Sequence, residues 1–230
     1  MTRILLINPN SNAATTAMMV EIAAAAAGNR ARITGATARH GPAMLTTPAD
    51  LAAAAVEVIA IGRSQAAPYS AILVAAFGDP GAAELAQIVA IPVLGLAEAS
   101  MRAAAAGQRR FGVATVTPAL VPAIAARAAQ LGLGPLYCGT RVTPNIPTDP
   151  HALTAALASA VAQCQADGAQ AVIIGGGPLA QAASALQHQC AIPIIAPLPT
   201  AIHQLITARC TTPSPASPPC CATQPCAPAP

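Results

Sequence analysis

The chain has 230 residues, of which 54% are hydrophobic and 8% charged, with a formal net charge of +3. That length exceeds a single small core, so one large or two small domains are expected. The scattered arginines form no basic run with interleaved aromatics, which argues against a nucleic-acid surface, and no window of about 20 residues stays strongly apolar without turn breakers, which argues against a membrane span.

Short apolar stretches alternate with longer helical ones, the signature of parallel sheets covered on both faces. The first apolar run, Ile4-Leu5-Leu6-Ile7, is cut by Asn8-Pro9-Asn10 before it reaches the length of a signal-peptide core, so a cytoplasmic protein is expected. Strands are predicted at residues 3–7, 32–36, 71–76 and 92–95, and again at 111–116, 135–138, 170–174 and 193–196. Helices are predicted at 13–27, 49–66, 80–89, 98–106, 118–131, 151–167, 178–188 and 199–208. Asp50, Asp79 or Pro80, Thr117-Pro118 and Asp149-Pro150 are start signals, and Gly28, Gly107, Gly132 and Gly168 stand where helices should stop. The last twenty residues, 211–230, hold seven prolines and three cysteines and cannot bury enough apolar surface to order themselves.

Cys138, Cys164, Cys190 and Cys210 lie in or beside the ordered body, while Cys220, Cys221 and Cys226 lie in the tail. No CxxC and no Cys/His ligand spacing occurs, so no metal site is expected, and the odd count reads as reduced thiols. Cys190 precedes a strand, on the side away from any cleft formed by the strand ends.

The two groups of four strands are written to one plan. Ile72-Leu73-Val74-Ala75-Ala76-Phe77-Gly78-Asp79-Pro80 and the later Ala90-Ile91-Pro92-Val93-Leu94 are matched by Val172-Ile173-Ile174-Gly175-Gly176-Gly177-Pro178 and Ala191-Ile192-Pro193-Ile194-Ile195. The opening Ile4–Pro9 finds its counterpart in Phe111–Pro118. Two such halves would face each other across a cleft, with loops at the carboxyl ends of the strands meeting in it. The expected fold is therefore α/β: two pseudo-symmetric domains, each a four-stranded parallel sheet flanked by helices. Residues 1–97 and 98–198 would be the halves, 199–210 a terminal helix returning to the first half, and 211–230 a disordered tail.

Residues 4–12, 72–81, 91–99 and 172–180 together resemble the aspartate/glutamate/hydantoin racemase family, most closely its hydantoin and allantoin racemases, with order and spacing kept over residues 3–207. The resemblance implies a cofactor-independent isomerase acting on an amino acid or hydantoin-like small molecule. It implies two catalytic cysteines, one per half, serving as thiolate base and thiol acid on opposite faces of the α-carbon. Their positions here are Ala76 and Gly176, neither of which carries a thiol.

What the loops retain is the material of an anion pocket. Asn8 and Ser11 offer side-chain donors, and the amides of Phe77, Gly78, Gly176 and Gly177 would point into the cleft from helix starts. Thr115 and Thr117 add hydroxyls. Asp79, Glu98, His40 and His203 are the titratable candidates to replace the thiols, although Asp79 also reads as a cap and Glu98 as a first-turn carboxylate. Two functions follow: an isomerase with atypical proton-transfer residues, or a catalytically silent protein binding a small carboxylate or ureide. Both need a small-molecule partner, neither needs a cofactor, nucleic acid or membrane, and a homo-oligomer is compatible with either.

Overall fold

The structure is a computed structural model, and it describes residues 1–143, 149–176 and 179–211. It contains two separate four-stranded parallel sheets. The first is built from β1 (Thr2–Asn8), β2 (Ala31–Thr37), β3 (Ala71–Val74) and β4 (Val93–Gly95), in the order β2-β1-β3-β4. The second is built from β5 (Phe111–Thr115), β6 (Tyr137–Val142), β7 (Ala171–Gly175) and β8 (Ile194–Ile195), in the order β6-β5-β7-β8. The same order in both sheets is the duplication seen in the sequence, now as topology.

Among the described residues, eight α-helices cover the sheets: α1 (Ala13–Ala27), α2 (Pro48–Gln65), α3 (Ala82–Ile88), α4 (Leu96–Ala104), α5 (Val121–Gln130), α6 (Pro150–Ala166), α7 (Ala180–Gln187) and α8 (Pro197–Thr211). Side chains alternate across a strand, so each central strand feeds two cores. Ile4 and Leu6 join Met19 of α1 and Ile202 and Leu205 of α8 on one face of the first sheet. Leu5 and Ile7 join Val58 of α2 and Leu85 of α3 on the other. In the second sheet, Val172 and Ile174 pack with Leu157 and Val161 of α6 and Leu186 of α7. Phe111, Val113 and Ile173 pack with Met101 of α4 and Ile124 of α5. Sandwiching the central strands β1, β3, β5 and β7 in this way explains why their runs are continuously apolar rather than alternating.

Two elements tie the halves together. Helix α4 gives Leu96 and Ala99 to the first-half core and Ala97, Met101 and Ala104 to the second. Helix α8 follows the last strand and lays Leu198, Ala201 and Ile202 onto the first-half core. Among the described residues no helix is long and apolar enough to cross a membrane.

Local chemistry sets the helix starts. Thr47 caps α2 in a reciprocal box with Asp50, and Pro48 takes the first turn, so Asp50 sits three residues inside the cap rather than at it. Asn12 caps α1 through Thr15 N, and Asp149 caps α6 through Ala152 N. Asp79 does not cap the helix that follows it: α3 starts from Gly81, in the left-handed region at φ 69°. Strand β6 falls at 137–142 rather than 135–138, because Pro135 closes a 3-10 turn over Gly134–Leu136 and the strand pairs only beyond it. Thr211, the first residue of the expected disordered tail, ends α8, and the rest of that tail, with Cys220, Cys221 and Cys226, lies outside the described residues.

Candidate functional site

The carboxyl ends of the central strands from both sheets open onto one cavity of about 270 Å³. The first half contributes Asn10, Thr15 and Met19 from the β1–α1 region, Met44 and Leu45 from the β2–α2 connection, and Ala75, Ala76 and Phe77 after β3. The second half contributes Thr115, Val116 and Thr117 after β5, Leu120, Ile124 and Leu153, and Gly175, Gly176 and Leu179 after β7. Ala76 and Gly176 thus line the same cavity from opposite halves. The loops bearing them close alike: Asp79 N donates to Ala76 O at 3.2 Å and Leu179 N to Gly176 O at 3.1 Å.

Asn8 and Ser11 do not line this cavity. Asn8 is fully buried, and its Nδ2 donates to Asn10 Oδ1 (2.8 Å), Asn12 O (3.1 Å) and Thr16 Oγ1 (2.9 Å) while its Oδ1 accepts from Asn10 N (3.2 Å). A side chain so committed scaffolds the loop and leaves Asn10 as the residue at the cavity. Ser11 donates its hydroxyl to Gly41 O at 3.0 Å. Gly78 is also outside the lining, its open side turned to Leu51 of α2. Gly177 lies outside the described residues.

The polar groups that do line the cavity have a definite donor and acceptor sense. Asn10 Oδ1 accepts from Asn8 Nδ2 and from Asn12 N (3.0 Å), so its amide NH₂ is the end turned away from these bonds. Thr115 Oγ1 donates its single proton to Gly175 O at 2.9 Å and lies 3.1 Å from Thr117 Oγ1. With that proton spent, Thr117 must be the donor in the second contact, and its remaining lone pairs are acceptors. A donor from the first half and an acceptor from the second match the C=O and N–H of an amide or ureide. The rest of the lining is apolar, and none of the described lining residues is ionisable.

The titratable candidates are engaged elsewhere. Asp79, whose side chain is 1% exposed, accepts from Ala97 N (2.7 Å) and Glu98 N (2.8 Å) at the start of α4 and from Arg127 Nε of α5 (2.9 Å). Burial raises its pKa, opposed by the Arg127 charge and then by the two amides. Gly95 exists to admit this carboxylate, since a Cβ there would overlap the Asp79 carboxyl group. Glu98 holds Arg127 Nη2 at 3.2 Å and Arg102 Nε at 2.9 Å. His40 pairs with Glu57 on the surface, and His203 Nε2 lies 3.2 Å from Ala26 O against α1. Among the described residues no cysteine lines the cavity. Cys164 is buried, its thiol pKa pushed up to about 11 by desolvation, and Cys190 is raised by the same cause.

The sequence matches the model of the family described as Asp/Glu/Hydantoin racemase over residues 4–205. The chain belongs to that family. A hydantoin racemase of Rhizobium meliloti is 28% identical over 197 residues, covering 83% of this chain and 81% of its own length. A hydantoin racemase of Paenarthrobacter aurescens is 27% identical over 207 residues, covering 86% and 87% respectively. The solved allantoin racemase of Klebsiella pneumoniae superposes with a TM-score of 0.84 at 25% identity, covering 91% of this chain and 88% of that one.

Set within the family, the lining also shows what a reading of loop motifs overlooks. Asn10 stands in a recognised loop, yet only the bonds of Asn8 show which asparagine reaches the cavity. Met44 and Leu45 belong to the β2–α2 connection, which lies outside the matched sequence blocks, so nothing in those blocks draws attention to them.

Proposed function

We propose that this family member binds a small cyclic ureide or related amide of the hydantoin class in the cavity between its halves, and that it does not interconvert enantiomers by the two-thiol route. The observation that carries the reading is the lining itself: one amide donor, hydroxyl acceptors, a broad apolar wall and no ionisable side chain among the described residues. Two-sided proton transfer at a carbon needs a base and an acid within hydrogen-bond reach. By resemblance Ala76 and Gly176 occupy the positions of those groups, and neither side chain can exchange a proton. A carboxylate ligand is less well served than a ureide, since none of the described lining residues is a cation that could balance its charge.

The second reading, a racemase of hydantoins, is favoured by the relatives named hydantoin racemase along most of the chain. It requires a proton-transfer group brought by the ligand or by water. The two readings separate in heavy water. Calorimetric titration with 5-substituted hydantoins should give binding, while the hydrogen at C5 should exchange no faster than in buffer. Exchange well above the buffer rate, with or without net racemisation, establishes the enzyme and defeats the silent-binder reading. Absence of hydantoin binding defeats both.

A further inference from the structure

Ten residues, 38–47, connect β2 to α2 and form part of the cavity wall through Met44 and Leu45. The connection is fixed at both ends. Ala38 N donates to Asn8 O at 3.0 Å, and Thr46 N and Thr47 N donate to Asp50 Oδ2 at 2.8 and 2.9 Å. Between these ends, two residues from other elements grip its first part. Ser11 donates its hydroxyl to Gly41 O at 3.0 Å and its amide to Pro42 O at 3.1 Å. Glu57 of α2 accepts from Arg39 N at 2.9 Å and His40 N at 3.4 Å, and meets His40 Nδ1 at 3.0 Å. These grips fall on 39–42, immediately before Met44 and Leu45. Met44 is 56% exposed although it faces an apolar cavity, an arrangement that leaves favourable burial unrealised.

We infer that residues 38–47 are a strap across the cavity mouth, latched by Ser11 and Glu57, with Met44 as the side chain that closes it. This rests on the cavity being the ligand site, and it makes Ser11 a positioning residue that acts through the strap. The latch explains why a serine in the first site loop points away from the cavity. Its two bonds transmit the position of the β1–α1 loop to the wall that a ligand must pass.

A thiol introduced by Ala76→Cys gives a readout that needs no natural ligand. Alkylation at position 76 by N-benzylmaleimide, followed by peptide mapping, measures passage through the mouth. Adding Ser11→Ala should speed that reaction about three- to ten-fold, the effect of removing one modest hydrogen bond from the closed state. Ser11→Thr, which keeps the hydroxyl, should leave the rate slow. Met44→Ala should speed the bulky maleimide more than iodoacetamide. Hydrogen exchange over 39–45 should quicken in the Ser11→Ala protein, with the remainder of the chain unchanged. Rates at position 76 that ignore Ser11→Ala overturn the latch, and equal acceleration of large and small reagents by Met44→Ala overturns its closing role. If the parent binds no hydantoin while the Ala76→Cys variants show the predicted alkylation pattern, the ligand assignment is lost and the strap is kept.

Discussion

The two loops that bring Ala76 and Gly176 to the cavity share a fold position and a closing hydrogen bond, yet they are held by different forces. The first is anchored by charge. Asp79, three residues beyond Ala76, binds the start of α4 and the guanidinium of Arg127, which a second carboxylate, Glu98, also holds. The second loop is anchored by a neutral hydroxyl, Thr115 Oγ1 to Gly175 O, and by apolar packing around Leu179. Duplication therefore preserves where a loop goes more faithfully than what keeps it there. It also leaves the halves unequal in what they can accept. Position 76 already carries a Cβ in an ordinary lining position. Gly176 has φ 157°, and a Cβ there would lie 3.1 Å from Leu179 Cδ1.

The charged anchor should break most expensively. Asp79→Ala leaves Arg127 partly buried without its closest carboxylate and strips two amides of α4 of their acceptor. A loss of about 3–5 kcal/mol is expected from breaking a buried pair on one side. Urea denaturation measures it, and a loss under about 1 kcal/mol would mean that solvent reaches this network far more than its burial indicates.

Next in size is the contrast between the attacking positions. Ala76→Cys should stay within about 1 kcal/mol of the parent, whereas Gly176→Cys should cost about 1–3 kcal/mol for a side chain in a backbone region that glycine tolerates. Equal costs would show that the second loop relaxes and that the asymmetry is superficial. If the double variant folds, heavy-water exchange at C5 of a bound hydantoin tests whether the pocket still orients a carbon between the two positions. No exchange from a folded, ligand-binding double variant would argue against that orientation.

The neutral anchor gives a smaller effect. Thr115→Val keeps the shape and removes the proton donated to Gly175 O, with an expected loss of about 1–2 kcal/mol. It also frees Thr117 from its partner, so hydantoin affinity should shift as well. Stability falling with no change in affinity would place Thr117 outside the ligand contact.

Legibility from the sequence follows the range of the forces involved. Strand and helix positions were readable because Leu5, Ile72, Val113 and Ile173 lie in short apolar runs bounded by turn residues, a local signal. The repeat then fixed the pairing of halves. What did not read locally was partner choice. Asp79 looks like a cap for the next helix, but its carboxylate crosses to α4, eighteen and nineteen residues on, and to α5. That destination depends on the space above Gly95, which no spacing rule contains. Asn8 and Asn10 are chemically equal in the sequence, and only burial decides that one braces the loop while the other faces the cavity. Pro135 shifted β6 because its ring favoured a tight turn over a ladder position.

The smallest expected effect is acid sensitivity, and it divides the halves again. In the first half, the amides of Thr46 and Thr47 hold the Asp50 carboxyl below its ordinary pKa, and the His40 side chain followed by the Arg39 amide does the same for Glu57. In the second half, Arg141 grips Asp167 through Nε at 2.7 Å and Nη2 at 2.6 Å and depresses it likewise. An acid whose pKa is lower folded than unfolded takes up its proton first in the unfolded chain. Its stabilisation is therefore complete above the unfolded value, near pH 4, and fades as pH falls through the folded value. Asp79 has the opposite sign, because burial raises it, so its ionised form subtracts stability as pH rises through its folded pKa. The urea midpoint should thus decline gently below about pH 4 as the depressed carboxylates are protonated, whereas the Asp79 contribution changes only above that value, between its unfolded and its raised folded pKa. Asp167→Asn should remove the second-half share of that decline, and added salt should mimic the variant, since both partners of the Arg141 pair face solvent. An acid profile unchanged by Asp167→Asn would assign the whole decline to the first half, where the strap's own latch, Glu57, is one of the two groups being protonated.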